Sequence, residues 1–300
     1  MKAKLLVFGA VCVILLAVNF QSSFAGKKGA QVTYQFTSIN AMGKETEAYG
    51  INQGGAIVGR YVGSSSLLNS KVYHGFIIDR NSTETIDVPY GTDTVVYGIN
   101  SRGKVVGSYR VSGKYYGFLK EDGAFTTIDV PNATGTIAHG INEQLLIVGE
   151  YTDNLGTHGF LRDSSGFTAI DVTDDAGIAF PSTILYGVNR AGQIVGTYRD
   201  WSAKSHGFLE DDGIFTEINF PNPLATDTFA YGINPQGQIV GAYKDGSGTH
   251  GFLYDDGAFT PINVTFQGAR DTSVFGINRH GNIVGTYTGA DGISHGFVGE

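Results

Sequence analysis

Acidic side chains stand at one position of a repeated triplet, where they could bind a cation or transfer a proton. The triplet Gly-Ile-Asn or Gly-Val-Asn occurs six times, and the residue seven places before its asparagine is acidic in four copies. These acidic residues are Glu45, Asp93, Asp227 and Asp271, and the other two copies have Gly135 and Ser182. A position that differs between copies is a better candidate for function than one that the repeat keeps constant.

Two kinds of chemistry suit these four carboxylates. Carboxylate oxygens are ligands for Ca²⁺ and other divalent cations, and they also contact sugars and peptides. A pair of carboxyl groups about 5–10 Å apart serves glycoside hydrolysis. The structural alternative is that Asp and Glu begin strands and form turns. The sequence therefore predicts no required cofactor but is compatible with Ca²⁺ or another divalent cation.

A tryptophan and a nearby arginine form a second candidate site. Trp201 is the only tryptophan and lies in a polar link that runs from Arg199 to Ser205. An exposed aromatic ring suits stacking on a sugar or anchoring a protein partner, and a guanidinium suits an acidic group. The alternative is that Trp201 covers the edge of a sheet.

Five histidines occur once per copy and invite a metal hypothesis. They are His74, His158, His206, His250 and His295, and the second copy has Tyr116 instead. A metal site needs about three or four converging ligands, whereas one histidine per repeat distributes the ligands through the fold. We therefore predict a structural role, such as a hydrogen bond to a neighbouring backbone group, and predict the same of the threonine six places before each triplet asparagine.

The repeat predicts the elements that carry these residues. The triplet asparagines recur every 42 to 48 residues and are Asn52, Asn100, Asn142, Asn189, Asn234 and Asn278. A period in this range is typical of a propeller, a solenoid or an array. Each unit contains four short segments of β-branched and aromatic residues, separated by turn residues, which predicts four strands.

Apolar residues occupy both faces of these predicted strands. In the unit of Asn234, Ile239 and Tyr243 point to one face of the second strand and Val240 points to the other. Such a sheet is covered on both sides. Recurring glycines indicate close backbone approach, and a glycine three places after the asparagine suits a left-handed turn. The third copy has Leu145 there, which predicts an altered or strained turn.

The two ends of the repeated region complement each other. The last unit stops at residue 300 without a fourth strand, while residues 34–40 read like the fourth strand of a unit. A propeller uses such a strand to close its ring, whereas a solenoid ends in atypical capping repeats. We predict an all-β fold: a six-bladed β-propeller over residues 31–300, with four antiparallel strands per blade, closed by the N-terminal strand completing the last blade.

Residues 1–25 read as a signal peptide, followed by a flexible lead over residues 26–30. Two lysines precede an apolar stretch, and Ser23-Phe24-Ala25 fits a cleavage site, although an uncleaved anchor is the alternative. The only cysteine, Cys12, lies in this segment, so we expect no disulfide or thiolate site in the mature chain. We expect a secreted, periplasmic or extracellular protein without stable membrane insertion after cleavage.

The net charge of the chain argues against some classes of binding partner. The formal net charge is −8, and electrostatic repulsion argues against nucleic acid and anionic membrane surfaces. We expect an extracellular glycan or a protein as partner, and a monomeric chain.

The copies follow the consensus Gly-Ile-Asn-x-x-Gly-x-Ile-Val-Gly-x-Tyr, then His-Gly-Phe-Leu, then Phe-Thr-x-Ile-Asp-Val, with substitutions in individual copies. It resembles the HAF-type extracellular repeat family of exported bacterial proteins over almost the whole of residues 31–300. The resemblance implies export and repetition. It implies no enzymatic activity and no catalytic residues.

These features predict an exported, noncatalytic binding or interaction module. The connections of variable length, between second and third strands and between blades, fall on one end of the ring, called here the variable face. The tight turns fall on the other end, called the turn face. We expect the ligand on the variable face near the central channel, with these contacts: Glu45, Asp93, Asp227, Asp271, Trp201 and Arg199. The alternatives are a carbohydrate-active hydrolase or lyase that uses the carboxylates, and a structural component of an extracellular matrix.

Overall fold

The computed structural model describes residues 7–8, 11–13, 33–42, 45–63, 71–80 and 82–300. These residues form strands, turns and bends, and no helix among them is long and apolar enough to cross a membrane. The predicted lead over residues 26–30 and most of the predicted signal peptide lie outside the described residues. Two short strands of that segment, β1 (Val7–Phe8) and β2 (Val11–Val13), pair with each other.

The other strands build six blades of four antiparallel strands each. One strand, β3 (Phe36–Ile39), precedes the first complete blade. Blade 1 contains β4 (Thr46–Ile51), β5 (Ile57–Gly63), β6 (Val72–Asp79) and β7 (Ser82–Ile86). Blade 2 contains β8 (Thr92–Ile99), β9 (Val105–Val111), β10 (Lys114–Glu121) and β11 (Ala124–Ile128). Blade 3 contains β12 (Gly135–Ile141), β13 (Ile147–Thr152), β14 (Thr157–Asp163) and β15 (Gly166–Ile170).

Blades 4 to 6 repeat the arrangement. Blade 4 contains β16 (Ser182–Val188), β17 (Ile194–Arg199), β18 (Ser205–Asp211) and β19 (Ile214–Ile218). Blade 5 contains β20 (Asp227–Ile233), β21 (Ile239–Asp245), β22 (Gly248–Asp255) and β23 (Ala258–Ile262). Blade 6 contains β24 (Arg270–Ile277), β25 (Ile283–Thr288) and β26 (Ser294–Gly299).

The strand β3 completes blade 6 and closes the ring. It pairs antiparallel with β26, with Phe36 opposite Gly299 and Ile39 opposite Gly296. The backbones of Gln35 and Glu300 exchange two further hydrogen bonds, of 2.9 and 3.1 Å. The predicted six-bladed propeller and its closure by the N-terminal strand are confirmed. Elsewhere, β2 runs parallel to β15 at the outer edge of blade 3.

The core lies between the blades, as apolar residues on both strand faces predicted. The third strand of every blade contributes one phenylalanine with no exposed surface, and these are Phe76, Phe118, Phe160, Phe208, Phe252 and Phe297. Neighbouring blades share each cluster; for example, Val195 of blade 4 packs with Phe252 and Tyr243 of blade 5. Burying a side chain of this size contributes about 1.5–3 kcal/mol.

Threonine side chains form hydrogen bonds that connect each blade to the one before it. In every blade the buried threonine six places before the triplet asparagine accepts a hydrogen bond from a backbone N–H just after the preceding fourth strand. The donor to Thr272 is the N–H of Val264, at 3.1 Å. The donor to Thr46 is that of Ala41, which follows the closing strand β3. The predicted structural role of these threonines is confirmed.

Glycines permit the inner strands to approach one another. A Cβ atom on Gly232 would lie 2.6 Å from the carbonyl oxygen of Phe275 in the next blade, and one on Gly276 would lie 3.1 Å from that of Tyr49. At the turn, Gly237 has a φ of 84° and Leu145 a φ of 64°. The third copy thus keeps the left-handed turn, at a cost of roughly 1–2 kcal/mol.

Candidate functional site

Each triplet asparagine organises the tight turn between the first and second strands of its blade. Its side-chain Oδ1 accepts hydrogen bonds from the backbone N–H groups two and four places later. In blade 2, for example, Asn100 Oδ1 accepts from Arg102 and Lys104, at 3.0 and 3.1 Å. The same pair occurs in all six turns. The triplet asparagines therefore form and hold these turns.

The same six asparagines also form a closed ring of hydrogen bonds around the axis, called here the asparagine ring. Each Nδ2 donates to the backbone carbonyl oxygen of the triplet asparagine in the next blade, at 2.9–3.3 Å. The last link runs from Asn278 Nδ2 to Asn52 O, at 3.3 Å. All six asparagines are buried. The ring therefore fixes the six turns at one height around the axis.

A cavity of about 540 Å³ opens on the axis at the turn face and is called here the funnel. Its apolar wall comes from the residue before each asparagine: Ile51, Ile99, Ile141, Val188, Ile233 and Ile277. Its rim comes mainly from the residue after each asparagine: Gln53, Ser101, Glu143, Arg190, Pro235 and Arg279. The wall is nearly identical in every blade, whereas the rim differs in every blade except for its two arginines.

The rim carries two guanidinium groups and one carboxylate. Arg190 and Arg279 are exposed, and Arg279 Nε donates a hydrogen bond to His280 Nε2, at 3.1 Å. Glu143 Oε1 accepts from both the backbone N–H and the hydroxyl of Ser101, at 2.8 and 2.7 Å. The carboxylate of Glu143 is therefore held in place, while the two arginines extend into solvent around the cavity.

Acidic residues surround this basic centre. The turns between third and fourth strands lie further from the axis on the same face, and they contain Glu121-Asp122, Glu210-Asp211-Asp212 and Asp255-Asp256. Burial raises the pKa of the Glu210 carboxyl. The turn face thus has two arginines at its centre and acidic clusters in three of its outer turns, where Glu121 is paired with Lys104.

A ring of aromatic side chains crosses the channel below the funnel and is called here the aromatic ring. Its members stand three places before the triplet asparagines and are Tyr49, Tyr97, His139, Tyr186, Tyr231 and Phe275. Neighbouring ring centroids lie 4.7–5.2 Å apart around the complete circle. They enclose a small cavity of about 80 Å³. The aromatic ring narrows the channel, so the funnel has a floor.

The structure places the four predicted acidic residues at contacts between strands and blades. Asp227 and Asp271 accept hydrogen bonds from backbone N–H groups of the preceding blade, those of Ser205 and Thr249, at 3.0 and 3.1 Å. Burial tends to raise the pKa of Asp227, but the Ser205 N–H and the Thr226 hydroxyl lower it overall.

The other two predicted carboxylates also have partners. Asp93 Oδ1 lies 3.5 Å from the backbone nitrogen of Tyr73 in blade 1, and Glu45 pairs with Lys71 at 2.7 Å. Among the described residues, no group of three or more His, Cys, Asp or Glu side chains is arranged to hold a metal ion. The proposed ligand contacts of these carboxylates and the binding of a divalent cation stay predictions.

The second predicted site lies on the variable face, as expected from the antiparallel topology. Trp201 stands in the turn between β17 and β18 and is 61% exposed. Its ring lies 5.9 Å from that of Phe180, which stacks on Tyr198. Arg199 is exposed at the end of β17. Their contact with a ligand stays a prediction.

The recurring histidines contact side chains of neighbouring strands and connections. The predicted example, a hydrogen bond to a backbone group, is not the contact that they make. His158 Nδ1 lies 2.8 Å from Asp171 and its Nε2 lies 3.3 Å from Asp153. His206 lies 2.7 Å from Glu217 and 3.0 Å from Asp200. Their predicted structural role is supported by a second contact, since each of the five stacks on or tilts against the tyrosine of the second strand.

Blade 2 replaces the histidine without losing these contacts. Tyr116 stacks on Tyr109, with ring centroids 5.7 Å apart. Lys114 Nζ lies 4.8 Å from the centroid of Tyr116 and 3.0 Å from Asp129. The lysine therefore contacts the aspartate that follows the fourth strand, as the histidine does in blades 1 and 3.

Comparisons with known proteins show the fold and no family. No family model matches the chain, and no curated protein matches it. Among solved structures, the Aleuria aurantia lectin in complex with Fucα1-6GlcNAc is 12% identical with a TM-score of 0.54, over 85% of this chain and 91% of that one. The resemblance to the HAF-type repeat family therefore stays a prediction.

Two further solved structures agree on the architecture. A mutant of AofleA from Arthrobotrys oligospora is 10% identical with a TM-score of 0.54, over 94% of this chain and 91% of that one. The β-propeller domain of the Trilobed protease from Pyrococcus furiosus is 12% identical with a TM-score of 0.52, over 86% and 94%. At these identities the likeness concerns the fold alone.

The asparagine ring predicts a specific loss of stability. In Asn100→Asp the side chain keeps the acceptor that forms the turn but loses the donor to Asn142 O, and places a negative charge near that carbonyl. We expect destabilisation by about 1–3 kcal/mol, measured as a lower urea midpoint with an unchanged slope. The exposed Asn154→Asp is the control; equal midpoints for the two variants would contradict a stabilising ring.

The histidine contacts predict a pH dependence. The hydrogen bond to Asp171 raises the pKa of His158, and the bonds of His206 to Glu217 and Asp200 raise its pKa against the opposing effect of burial. Their stabilisation is fully present below the unfolded-state pKa of about 6.5 and is lost as pH rises through the folded-state pKa.

Accordingly, the double variant His158→Gln/His206→Gln should differ most in melting temperature from the parent at pH about 6, and less at pH about 8.5. The control is His280→Gln, because His280 lies on the turn face and accepts a hydrogen bond from Arg279 Nε. A difference from the parent that does not shrink with rising pH would show that protonated histidines do not stabilise the fold.

Proposed function

We propose that this protein is an exported, noncatalytic binding module that takes a small anionic ligand in the funnel. The observation that carries the proposal is the contrast between the funnel's two layers. The wall of Ile and Val and the asparagine ring repeat in each blade, so they serve the fold. The rim alone differs, so it is where one ligand can be distinguished from another.

Two arginines support an anionic ligand. Arg190 and Arg279 extend at the rim of a cavity in a protein whose net charge is −8. Guanidinium groups bind carboxylate and phosphate through paired N–H donors. The carboxylate of Glu143, adjacent in the ring to Arg190, can accept a hydrogen bond from a hydroxyl or amine of the same ligand. A small molecule with one anionic group and one donor group fits this rim.

The acidic periphery restricts the size of that anion. The hairpin tips at Glu121-Asp122, Glu210-Asp211-Asp212 and Asp255-Asp256 repel a large polyanion before it reaches the axis. A small anion that enters along the axis meets the basic centre. Nucleic acid and anionic membrane surfaces are therefore unsuitable partners, in agreement with the overall charge.

Binding suits the funnel better than hydrolysis does. Glu143 is the only acidic residue among those that line the cavity, whereas hydrolysis of a glycosidic bond uses a pair of carboxyl groups. The wall is apolar, and amide, hydroxyl and guanidinium groups of the rim are donors and acceptors, not proton-transfer groups near neutral pH. Export is supported by the apolar N-terminal segment and by the HAF-type resemblance.

The ligand site can be tested with citrate as a probe anion. At equal ionic strength, citrate should raise the melting temperature of the full chain relative to sodium chloride, by ~3 °C when it is well above its dissociation constant. Arg190→Gln/Arg279→Gln should abolish the increase, because both guanidinium groups at the rim are lost.

The control is Arg102→Gln, which removes an exposed arginine of the same face that does not line the cavity. This variant should respond to citrate as the parent does. A parent that shows no increase, or a double variant that retains it, contradicts an anion site in the funnel.

Exposed apolar residues favour a second role, on the variable face. Of the nine large hydrophobic residues that are exposed among the described residues, only Ile214 lies on the turn face. The other eight stand in or beside the connections of the variable face: Met42, Tyr90, Val111, Tyr115, Leu155, Ile178, Trp201 and Leu224. The bias of exposed apolar side chains to one face supports the predicted contact of Trp201 with a protein or a glycan, because exposed apolar surface is a feature of interaction sites.

Site-specific photo-cross-linking distinguishes the two faces. A photoreactive amino acid replaces either Trp201 or Ile214, which are exposed to a similar extent, 61% and 66%. Position 201 should cross-link to a discrete partner in the producing cells, and position 214 should not. Equal cross-linking from both positions, or none from position 201, contradicts a docking surface on the variable face.

A further inference from the structure

The aromatic ring has the dimensions of a cation site. Its six centroids are spaced almost evenly, at 4.7–5.2 Å. The centre of a regular hexagon is as far from each corner as neighbouring corners are from each other, so a point on the axis lies about 5 Å from every centroid, within reach of a cation–π contact. Six rings thus surround one point.

The six rings keep accessible surface on a shared cavity and are turned relative to one another around it. Planes of neighbouring rings differ by 45–77°, close to the 60° by which one blade is rotated from the next in a six-fold ring. No member is fully buried, and together they line the cavity of about 80 Å³. Each aromatic residue is the extra residue of a bulge in the inner strand, for example Tyr231 between Ala230 and Gly232, and bulges re-aim side chains.

A carboxylate lies beside this ring. Glu150 in β13 approaches His139 Nε2 at 3.7 Å, and its side chain is 18% exposed. Burial raises the pKa of Tyr97 to about 12; the charge of Arg60 and a hydrogen bond with Ser108 oppose the increase, and the charge of Glu150 adds to it. Burial, Tyr231 and Glu150 together raise the pKa of Tyr186. The charge of Glu150 is thus felt by ring members on both sides of His139.

The other carboxylate near the ring has a cationic partner. Glu47 pairs with Arg60 at 2.7 Å and accepts a hydrogen bond from the Tyr49 hydroxyl. Within the described part of the chain, the Glu150 carboxylate pairs only with His139, at a distance longer than a hydrogen bond. Of the two carboxylates, Glu150 is the one placed to serve as counter-ion to a bound cation.

His139 supplies a second indication of a ligand. Its side chain is 10% exposed, and its Nε2 is buried without a hydrogen-bond partner among the described residues. A buried polar atom without a partner costs about 1–3 kcal/mol. A polar group held at the axis would provide that partner. His139 is also the member that breaks the series of tyrosine and phenylalanine around the ring.

We propose that the aromatic ring binds a small alkylammonium cation on the axis, with Glu150 as counter-ion and His139 Nε2 as partner of a hydroxyl group on the ligand. Cation–π attraction to several rings and one carboxylate favours a charged ammonium over a neutral group of the same shape. The site is separate from the funnel, whose lining residues are all different, and it does not depend on the proposed anion site.

Calorimetric titration of the full chain with choline and with 3,3-dimethylbutan-1-ol tests the proposal. The two probes have the same shape and hydroxyl group, but only choline is charged. Choline should bind at least roughly tenfold more tightly, and Glu150→Gln should weaken choline binding roughly tenfold while leaving the neutral probe unchanged. Glu143→Gln, on the funnel rim, should leave choline binding unchanged.

A pair of substitutions in the ring separates the π contact from folding. Tyr231→Phe keeps the aromatic face and should keep choline binding, whereas Tyr231→Leu should weaken it severalfold. Circular dichroism confirms that each variant is folded. Equal affinity for the two probes, no choline binding at millimolar concentration, or a Glu150→Gln variant that binds choline like the parent would overturn the proposal and leave a purely structural aromatic ring.

Discussion

The asparagine ring is the constraint on which the rest of the structure depends. Each triplet asparagine uses three groups at once: Oδ1 holds its own turn, Nδ2 reaches the next blade, and the backbone carbonyl oxygen accepts from the blade before. Because the cycle closes between Asn278 and Asn52, one misplaced turn leaves a donor and an acceptor unsatisfied in its neighbours. Buried groups of this kind are costly to leave unpaired, so the ring holds all six turns to one geometry.

That constraint explains where the chain is free to vary. The residue before each asparagine lines the funnel and packs in the core cluster that its blade shares with the blade before it, so it is Ile or Val in every blade. The residue after each asparagine lies at the edge of the cavity, where its side chain needs only to avoid steric clashes with neighbouring residues. Leu145 shows how strong the constraint is, because the third turn keeps its left-handed backbone without a glycine. A rigid base with a variable rim is the usual arrangement of a binding site on a repeat scaffold.

Most of the fold could be predicted from the sequence because its determinants are local and repeated. The strand pattern, the turn glycines and the complementary chain ends are all visible in short segments. The partner of Asn100 Nδ2 could not be found in this way, since it lies in another blade, 42 residues along the chain. Nor could the partners of the carboxylate at Asp227, because a backbone N–H of the preceding blade has no sequence signal.

The candidate sites were likewise only partly predictable from the sequence. The sequence already shows that the residue after each triplet asparagine varies. This residue lies in a turn of constant length, however, whereas the connections of variable length lie on the opposite face and directed the prediction there. The histidine partners also had a signal, because an acidic or amide residue stands 13 places after His74, His158, His206 and His250. The aromatic ring had one as well, since five of its six members are Tyr or Phe at a fixed place. That the six side chains form a closed circle around the axis is visible only in the three-dimensional structure.

Opposite charges can share one axis here because layers of the repeat separate them. Arg190 and Arg279 stand at the turn face, while Glu150 lies beside the aromatic ring, beyond the Ile and Val wall. Without those layers, a guanidinium and a carboxylate in a narrow channel would pair with each other, since their attraction strengthens as water is excluded. The symmetric residues therefore do more than hold the blades together: they also separate the carboxylate of Glu150 from the two arginines of the rim.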